Sequence, residues 1–140
     1  MTQDDRKRTI VVGYDGSQAA RRGLQRLRQL GAPGATVVVV AVGRDVRSPG
    51  LGAELTGQEV DVEALLQEAR YLLQGAPALG IEARAETGDP VSVLVEVARE
   101  VDADLLVVGR RGGDFVARTL LGSVASRVIE QAPCDVLVVR

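Results

Sequence analysis

Two stretches of this 140-residue chain hold the residue types of an anion site. The first is Gly13-Tyr14-Asp15-Gly16-Ser17. The second runs Gly109-Arg110-Arg111-Gly112-Gly113-Asp114 and, after Phe115 to Leu121, reaches Gly122-Ser123-Val124. Gly109 ends an apolar run without a side chain, so a ring or a sugar can approach the backbone there. Gly112 permits a positive φ and can turn successive N–H groups inward as an anion nest. Gly122-Ser123-Val124 sets backbone N–H groups at the start of a helical pattern, where the helix dipole favours phosphate. The Ser123 hydroxyl adds a donor, and Arg110 or Arg111 adds charge from the rim. Asp15 can accept from a ribose hydroxyl or bind a phosphate-associated magnesium ion. The lysine of a P-loop is missing, because Lys7 is the only lysine in the chain.

Each residue also has a plainer reading. Glycines after strands often serve only tight turns, Arg110 and Arg111 suit a solvated loop, and Asp15 and Ser123 can cap helices. Asp114 reads as a loop carboxylate rather than a general base. Cys134, beside an apolar run, reads as a small packed residue rather than a reactive thiol.

These loops need elements to place them, and the chain alternates β and α patterns. Thr9 to Gly13 is a short buried strand. From Ser17, the residues Ala20, Leu24, Leu27 and Leu30 fall on one helical face until Gly31-Ala32-Pro33-Gly34 stops it. Thr36 to Val42 is a continuous β-branched run. Gly43 to Leu55 reads as a loop, and the spacing of Thr56 and Glu59 predicts a capping box and a helix start. Val62, Leu65, Leu66, Ala69, Leu72 and Leu73 give that helix its stripe, and Gly75-Ala76-Pro77 ends it. Ile81 to Glu86 alternates strictly. Asp89-Pro90 reads as N-cap and first helical residue of a third helix. Asp104 to Val108 is a fourth strand. Val124 to Ala132 forms a fourth helix, and Cys134 to Val139 a fifth strand.

Strands alternating with helices imply right-handed crossovers and a parallel sheet. Strands one, two and four are solidly apolar, which suits central positions covered on both faces. Strand three carries Glu82, Arg84 and Glu86, which suits a charged edge. The expected fold is therefore an α/β open five-stranded parallel sheet of order 3-2-1-4-5 with helices on both faces. A flavodoxin-like order 2-1-3-4-5 would bury those charges. In the order 3-2-1-4-5 the winding reverses between strands one and four, and such sheets bind ligands outside the carboxyl ends of the strands at that reversal. The two loops that leave those ends are the two quoted above. Residues 1–8 are expected to form a flexible N-terminal tail and residues 9–140 a single domain.

Composition removes other function classes. A net charge of −2 gives no basic field for nucleic acid, and three aromatics are too few for a base-stacking platform. With no histidine and one cysteine, a Ser-His or Cys-His relay, a His/Cys metal cluster and an intramolecular disulfide are excluded. Gly50-Leu51-Gly52 lacks the third glycine and preceding strand of a dinucleotide fingerprint. No apolar stretch is long enough to cross a bilayer, so a cytoplasmic location without membrane association is expected.

The spacing Gly109, two residues, Gly112, nine residues, Gly122-Ser123 resembles that of the nucleotide-binding universal stress proteins. Val11-Val12-Gly13-Tyr14-Asp15-Gly16-Ser17 is similar to the first strand and turn of that family. Gly88-Asp89-Pro90, Ala132-Pro133-Cys134 and Val136-Leu137-Val138-Val139 are similar to its other landmarks. The resemblance spans nearly the whole chain. It implies a universal stress protein domain that binds ATP, or AMP or ADP, with at most slow hydrolysis and a regulatory role in stress. It places adenine and ribose near Gly13, Tyr14, Asp15 and the backbone of Val42. It places phosphates on Gly112, Gly122, Ser123 and Val124, with Gly109 near the ribose. Arg110-Arg111 departs from the Ser-His or Ser-Arg pair frequent in the family, and Arg111 enters as a candidate phosphate contact. The resemblance also implies a dimer through the last strand. Asp135 to Val139 supplies a physical reason, being an edge that is apolar on both faces and ungated by charge before Arg140. The alternative is a dimeric interaction module that binds no nucleotide.

Overall fold

Apolar residues in the strands alternate between two faces, and each face is covered by two helices. The computed structural model describes residues 7–30, 34–43, 61–76, 80–110 and 121–140. Among them, strands β1 (Thr9–Gly13), β2 (Thr36–Gly43), β3 (Gly80–Thr87), β4 (Leu105–Gly109) and β5 (Asp135–Val139) alternate with helices α1 (Gln18–Leu30), α2 (Val62–Leu73), α3 (Pro90–Glu100) and α4 (Ser123–Gln131). All four strand pairings are parallel, and the order is β3-β2-β1-β4-β5. The expected sheet and its charged edge are both present. Arg84 on β3 holds Glu82 at 2.9 Å and Glu100 of α3 at 2.9 Å.

On one face Ile10, Val12, Val37, Val39 and Ala41 pack under Leu24 and Leu27 of α1 and Leu66, Ala69 and Leu73 of α2. On the other, Val11, Val38, Val40, Leu106 and Val108 pack under Val91, Leu94 and Ala98 of α3 and Ala125 and Val128 of α4. No polar or charged residue is buried among the described residues. β1 and β2 therefore contribute one dry layer to each face, which is why their sequences read as unbroken apolar runs.

The helix starts follow cap chemistry. Ser17 Oγ accepts from Ala20 N–H (3.2 Å) at α1. Asp61, not Thr56, caps α2: its Oδ1 accepts from Ala64 N–H at 3.1 Å. Thr56 and Glu59 lie outside the described residues. Asp89 caps α3 as expected, with Pro90 in the first turn. One of its oxygens accepts from Ser92 N–H (3.1 Å) and from the Ser92 hydroxyl (2.7 Å). The Arg127 guanidinium of α4 reaches the same carboxylate at 3.3 and 3.4 Å. The two bonds from Ser92, and then Arg127, hold the Asp89 carboxyl below the usual carboxylate range. At the N-terminal side, the Arg8 carbonyl already accepts from Thr36 N–H at 2.8 Å.

Two consequences can be measured by urea unfolding. Leu106 is fully buried at the centre of the second layer, and Leu106→Ala should cost about 2–5 kcal/mol of stability. Asp89→Ala should cost about 1 kcal/mol through loss of the cap. Because the folded carboxyl titrates below its unfolded value, the Asp89 contribution is complete above the unfolded aspartate value of about 4 and is lost as pH falls through the folded one. The gap between wild type and Asp89→Ala should therefore be constant near neutrality and close only in acid. A gap that widens in acid would contradict the assignment.

Candidate functional site

The winding reverses between β1 and β4, and both flanking strands run on past the last residue with which β1 pairs. Its last pairs are Gly13 with Val40 of β2 and Val12 with Val107 of β4. Tyr14 N–H adds one bond to the Val40 carbonyl (2.9 Å), and Thr36 N–H donates to Arg8. Thr36 and Val40 thus turn their main-chain groups toward β1, and alternation along the strand turns those of Val42 the same way. Gly43, the next residue, faces β3, accepting from Gly88 N–H at 3.2 Å. On the other flank Arg110 N–H donates to Val139 of β5 (2.6 Å), so alternation turns Gly109 toward β1. Both Val42 and Gly109 turn their N–H and C=O toward the end of β1, beyond its last pairs with β2 and β4. Main-chain groups at such a strand end offer donors and acceptors to a planar group that enters.

The segment leaving β1 is a tight turn. Asp15 Oδ1 accepts from Ser17 N–H at 2.9 Å, and Gly16 has φ +77°. A Cβ on Gly16 would come 2.8 Å from Leu65 Cδ2 of α2. Gly16 therefore answers two constraints at once, a left-handed backbone and the close approach of a helix. Asp15 is exposed and serves its own turn, as the plainer reading expects. Gly13 is explained by packing, since a Cβ there would meet Leu94 Cδ1 of α3 at 2.9 Å. The Tyr14 side chain does not line the crevice. It is 2% exposed and packs between α1, α2 and the sheet. Its hydroxyl is enclosed and meets no partner in hydrogen-bond geometry, although the Arg21–Glu68 ion pair (2.8 Å) lies beside it. Burial first, and then Glu68, push the phenol up to about 12. Only the main chain of Tyr14 belongs to the loop surface.

At the other wall, Gly122 occupies the N-cap of α4 and no side chain caps the helix. Ser123 is the first helical residue rather than the cap. The Gly122 amide is not available to a ligand, which corrects the expectation that Gly122, Ser123 and Val124 all present open N–H groups. It donates to the Arg110 carbonyl at 2.9 Å. That bond ties together the two ends of the segment 111–120. The helix's own first bond runs from Ser126 N–H to the Gly122 carbonyl, so the amides of Ser123, Val124 and Ala125 have no carbonyl within the helix. Ser123 and Val124 are exposed. Arg111, Gly112 and Asp114 lie outside the described residues. Cys134 is half-buried against the second core layer, and burial raises its thiol. Among the described residues no group of three or more His, Cys, Asp or Glu is placed to hold a metal. No helix among them is long and apolar enough to cross a membrane.

The sequence reading overlooked the Asp89–Arg127 pair, which joins the starts of α3 and α4. Asp89 was legible as a cap, but nothing local in the sequence marks a partner 38 residues away.

The profile of the universal stress protein family matches residues 7–140. Universal stress protein Rv1636 of Mycobacterium tuberculosis is 33% identical over 139 residues, which are 94% of this chain and 95% of the relative. A solved universal stress protein in complex with cAMP has a TM-score of 0.74 at 36% identity, covering 95% of this chain and 97% of that one. The universal stress protein of Archaeoglobus fulgidus in complex with dAMP has a TM-score of 0.64 at 25% identity, covering 96% and 98%. The match runs through the β1 turn, the reversal and α4 alike, and the chain belongs to the universal stress protein family.

Proposed function

We propose that this chain binds an adenine nucleotide, ATP or else AMP or ADP, across the reversal between β1 and β4, and that it acts through that nucleotide as a stress-response regulator in the cytoplasm. The observation that carries the reading is the pair of main-chain groups, Val42 and Gly109, turned toward the end of β1 from either flank, together with α4 amides that no side chain caps. Two relatives at 36% and 25% identity were solved with cAMP and dAMP, ligands that share an adenine, a sugar and a phosphate.

In this reading the Val42 N–H and C=O pair with the base edge. Gly13, Gly109 and the main chain of Tyr14 form the floor under base and sugar, and Asp15 accepts from the ribose. Ser123 and Val124 donate to phosphate, and Gly122 sets the approach without donating. Arg111 and Gly112 complete the cradle from the intervening segment. Magnesium fits only in a limited way. Asp15 supplies one exposed carboxylate, and Mg²⁺ in nucleotide sites takes one or two carboxylates together with phosphate oxygens. Such an ion would screen phosphate charge. Among the described residues none is placed as a general base, so hydrolysis is slow at most.

The reading extends to a homodimer through β5. Among the described residues that strand pairs only with β4, and Val136, Leu137 and Val138 stay only partly buried. An apolar edge without a charge between Asp135 and Arg140 favours antiparallel addition of a second copy.

Two measurements test these statements. Titration calorimetry with ATP, ADP and AMP, with and without magnesium, should give micromolar binding, and Gly122→Val should weaken it at least about tenfold by blocking approach to the α4 amides. Absence of binding to the intact chain would favour an interaction module instead. Sedimentation at micromolar concentration should show a dimer, and a monomer there would remove the β5 interface.

A further inference from the structure

Arg127 is the single basic residue of α4, and it lies four residues after Ser123, on the same helical face. Its side chain leans back toward the start of the helix, as Cβ geometry requires. There it meets Asp89, the cap of α3, with Nη1–Oδ1 at 3.4 Å and Nη2–Oδ2 at 3.3 Å. The contact is two-pronged but slack, against the roughly 2.7–2.9 Å of a tight charged pair. Both partners are about half exposed, Arg127 at 48% and Asp89 at 45%. An ion pair of that kind adds little to stability. Asp89 does not depend on it, because the two bonds from Ser92, at 2.7 and 3.1 Å, already satisfy its capping function. Arg127 is therefore held near the mouth of the site by an interaction that is easily exchanged.

A triphosphate carries more negative charge than the start of α4 alone can match, and a guanidinium near that start can add to it. The start of α4 offers the equivalent of about half a positive charge, and one of its nearby amides, that of Gly122, is committed to Arg110. This suffices for one phosphate and falls short for a chain of three. Lys7, the only lysine, lies at the start of β1, at the opposite end of that strand from the crevice. Guanidinium is suited to the task, since its fork matches phosphate as well as carboxylate.

We propose, resting on the nucleotide site described above, that Arg127 is a specificity-determining residue which exchanges Asp89 for the terminal phosphate of the nucleotide, and so sets the preference for triphosphate over monophosphate. Asp89 is its counterweight: the stronger its hold on Arg127, the weaker that preference.

The test is titration of the full chain with AMP and with ATP, in chelator so that magnesium does not mask charge, for wild type, Arg127→Gln, Arg127→Lys and Asp89→Asn. Arg127→Gln should lose about tenfold or more in ATP affinity, the loss of a charge-assisted hydrogen bond, while AMP affinity stays within about twofold. Arg127→Lys should recover part of the loss. Asp89→Asn, which keeps a capping side chain, should tighten ATP without changing AMP. If wild type binds AMP but its ATP-to-AMP ratio is unchanged in Arg127→Gln, the Arg127 exchange is wrong and the site stands. If wild type binds neither nucleotide, the site reading falls and this proposal with it. Equal losses for both nucleotides would mark Arg127 as structural and overturn the exchange.

Discussion

The geometry of this molecule depends on where neighbouring strands stop relative to one another. β1 stops pairing at Gly13 while β2 runs on to Gly43 and β4 to Gly109. In a parallel sheet every central residue has its main-chain groups satisfied by a neighbour on one side or the other. β1 stops short of Val42 on one flank and of Gly109 on the other. Apolar layers on both faces pack beneath the sheet. The main-chain groups at this end are thus held in place by packing.

Packing explains several residues that local chemistry would assign to binding. Gly13 makes room for Leu94, Gly16 makes room for Leu65, and Tyr14 is a core residue whose hydroxyl carries a desolvation cost. The loop after β1 is therefore clamped from both sides of the sheet, by α3 beneath Gly13 and by α2 beneath Gly16. These roles do not compete with ligand contact, because they use side chains or their absence, whereas the crevice presents main chain. A loop set by two helices is pre-organised, and pre-organisation lowers the entropy lost on binding.

The start of α4 is built differently. α4 begins with glycine and serine and has no side-chain cap, which leaves its first amides unpaired within the helix. The Gly122–Arg110 bond closes the base of the preceding segment and fixes where α4 starts relative to β4. That bond uses one amide for architecture. The cations that reach this end are arginines, and the one that α4 itself carries is shared with the cap of α3. The cap of α3 and the middle of α4 are thereby coupled through a single carboxylate.

The chain alone determined the order of the described elements, the strand order and the two glycine-bearing ends of β1 and β4. Those follow from apolar periodicity, from charge on Glu82, Arg84 and Glu86, and from glycine-rich loops at two strand ends, all of which are local or compositional signals. It also determined most helix starts, because Ser17, Asp89 and Pro90 act within a few residues of themselves. The cap of α2 was misplaced, since Thr56 and Asp61 carry similar local signals and only the folded helix selects between them. Tertiary structure alone decided that Tyr14 turns inward, that the Gly122 amide is spent on Arg110, and that Arg127 meets Asp89. Each of these depends on residues brought together from distant parts of the chain, and the direction of a hydrogen bond or a side chain is set by the partner that packing delivers.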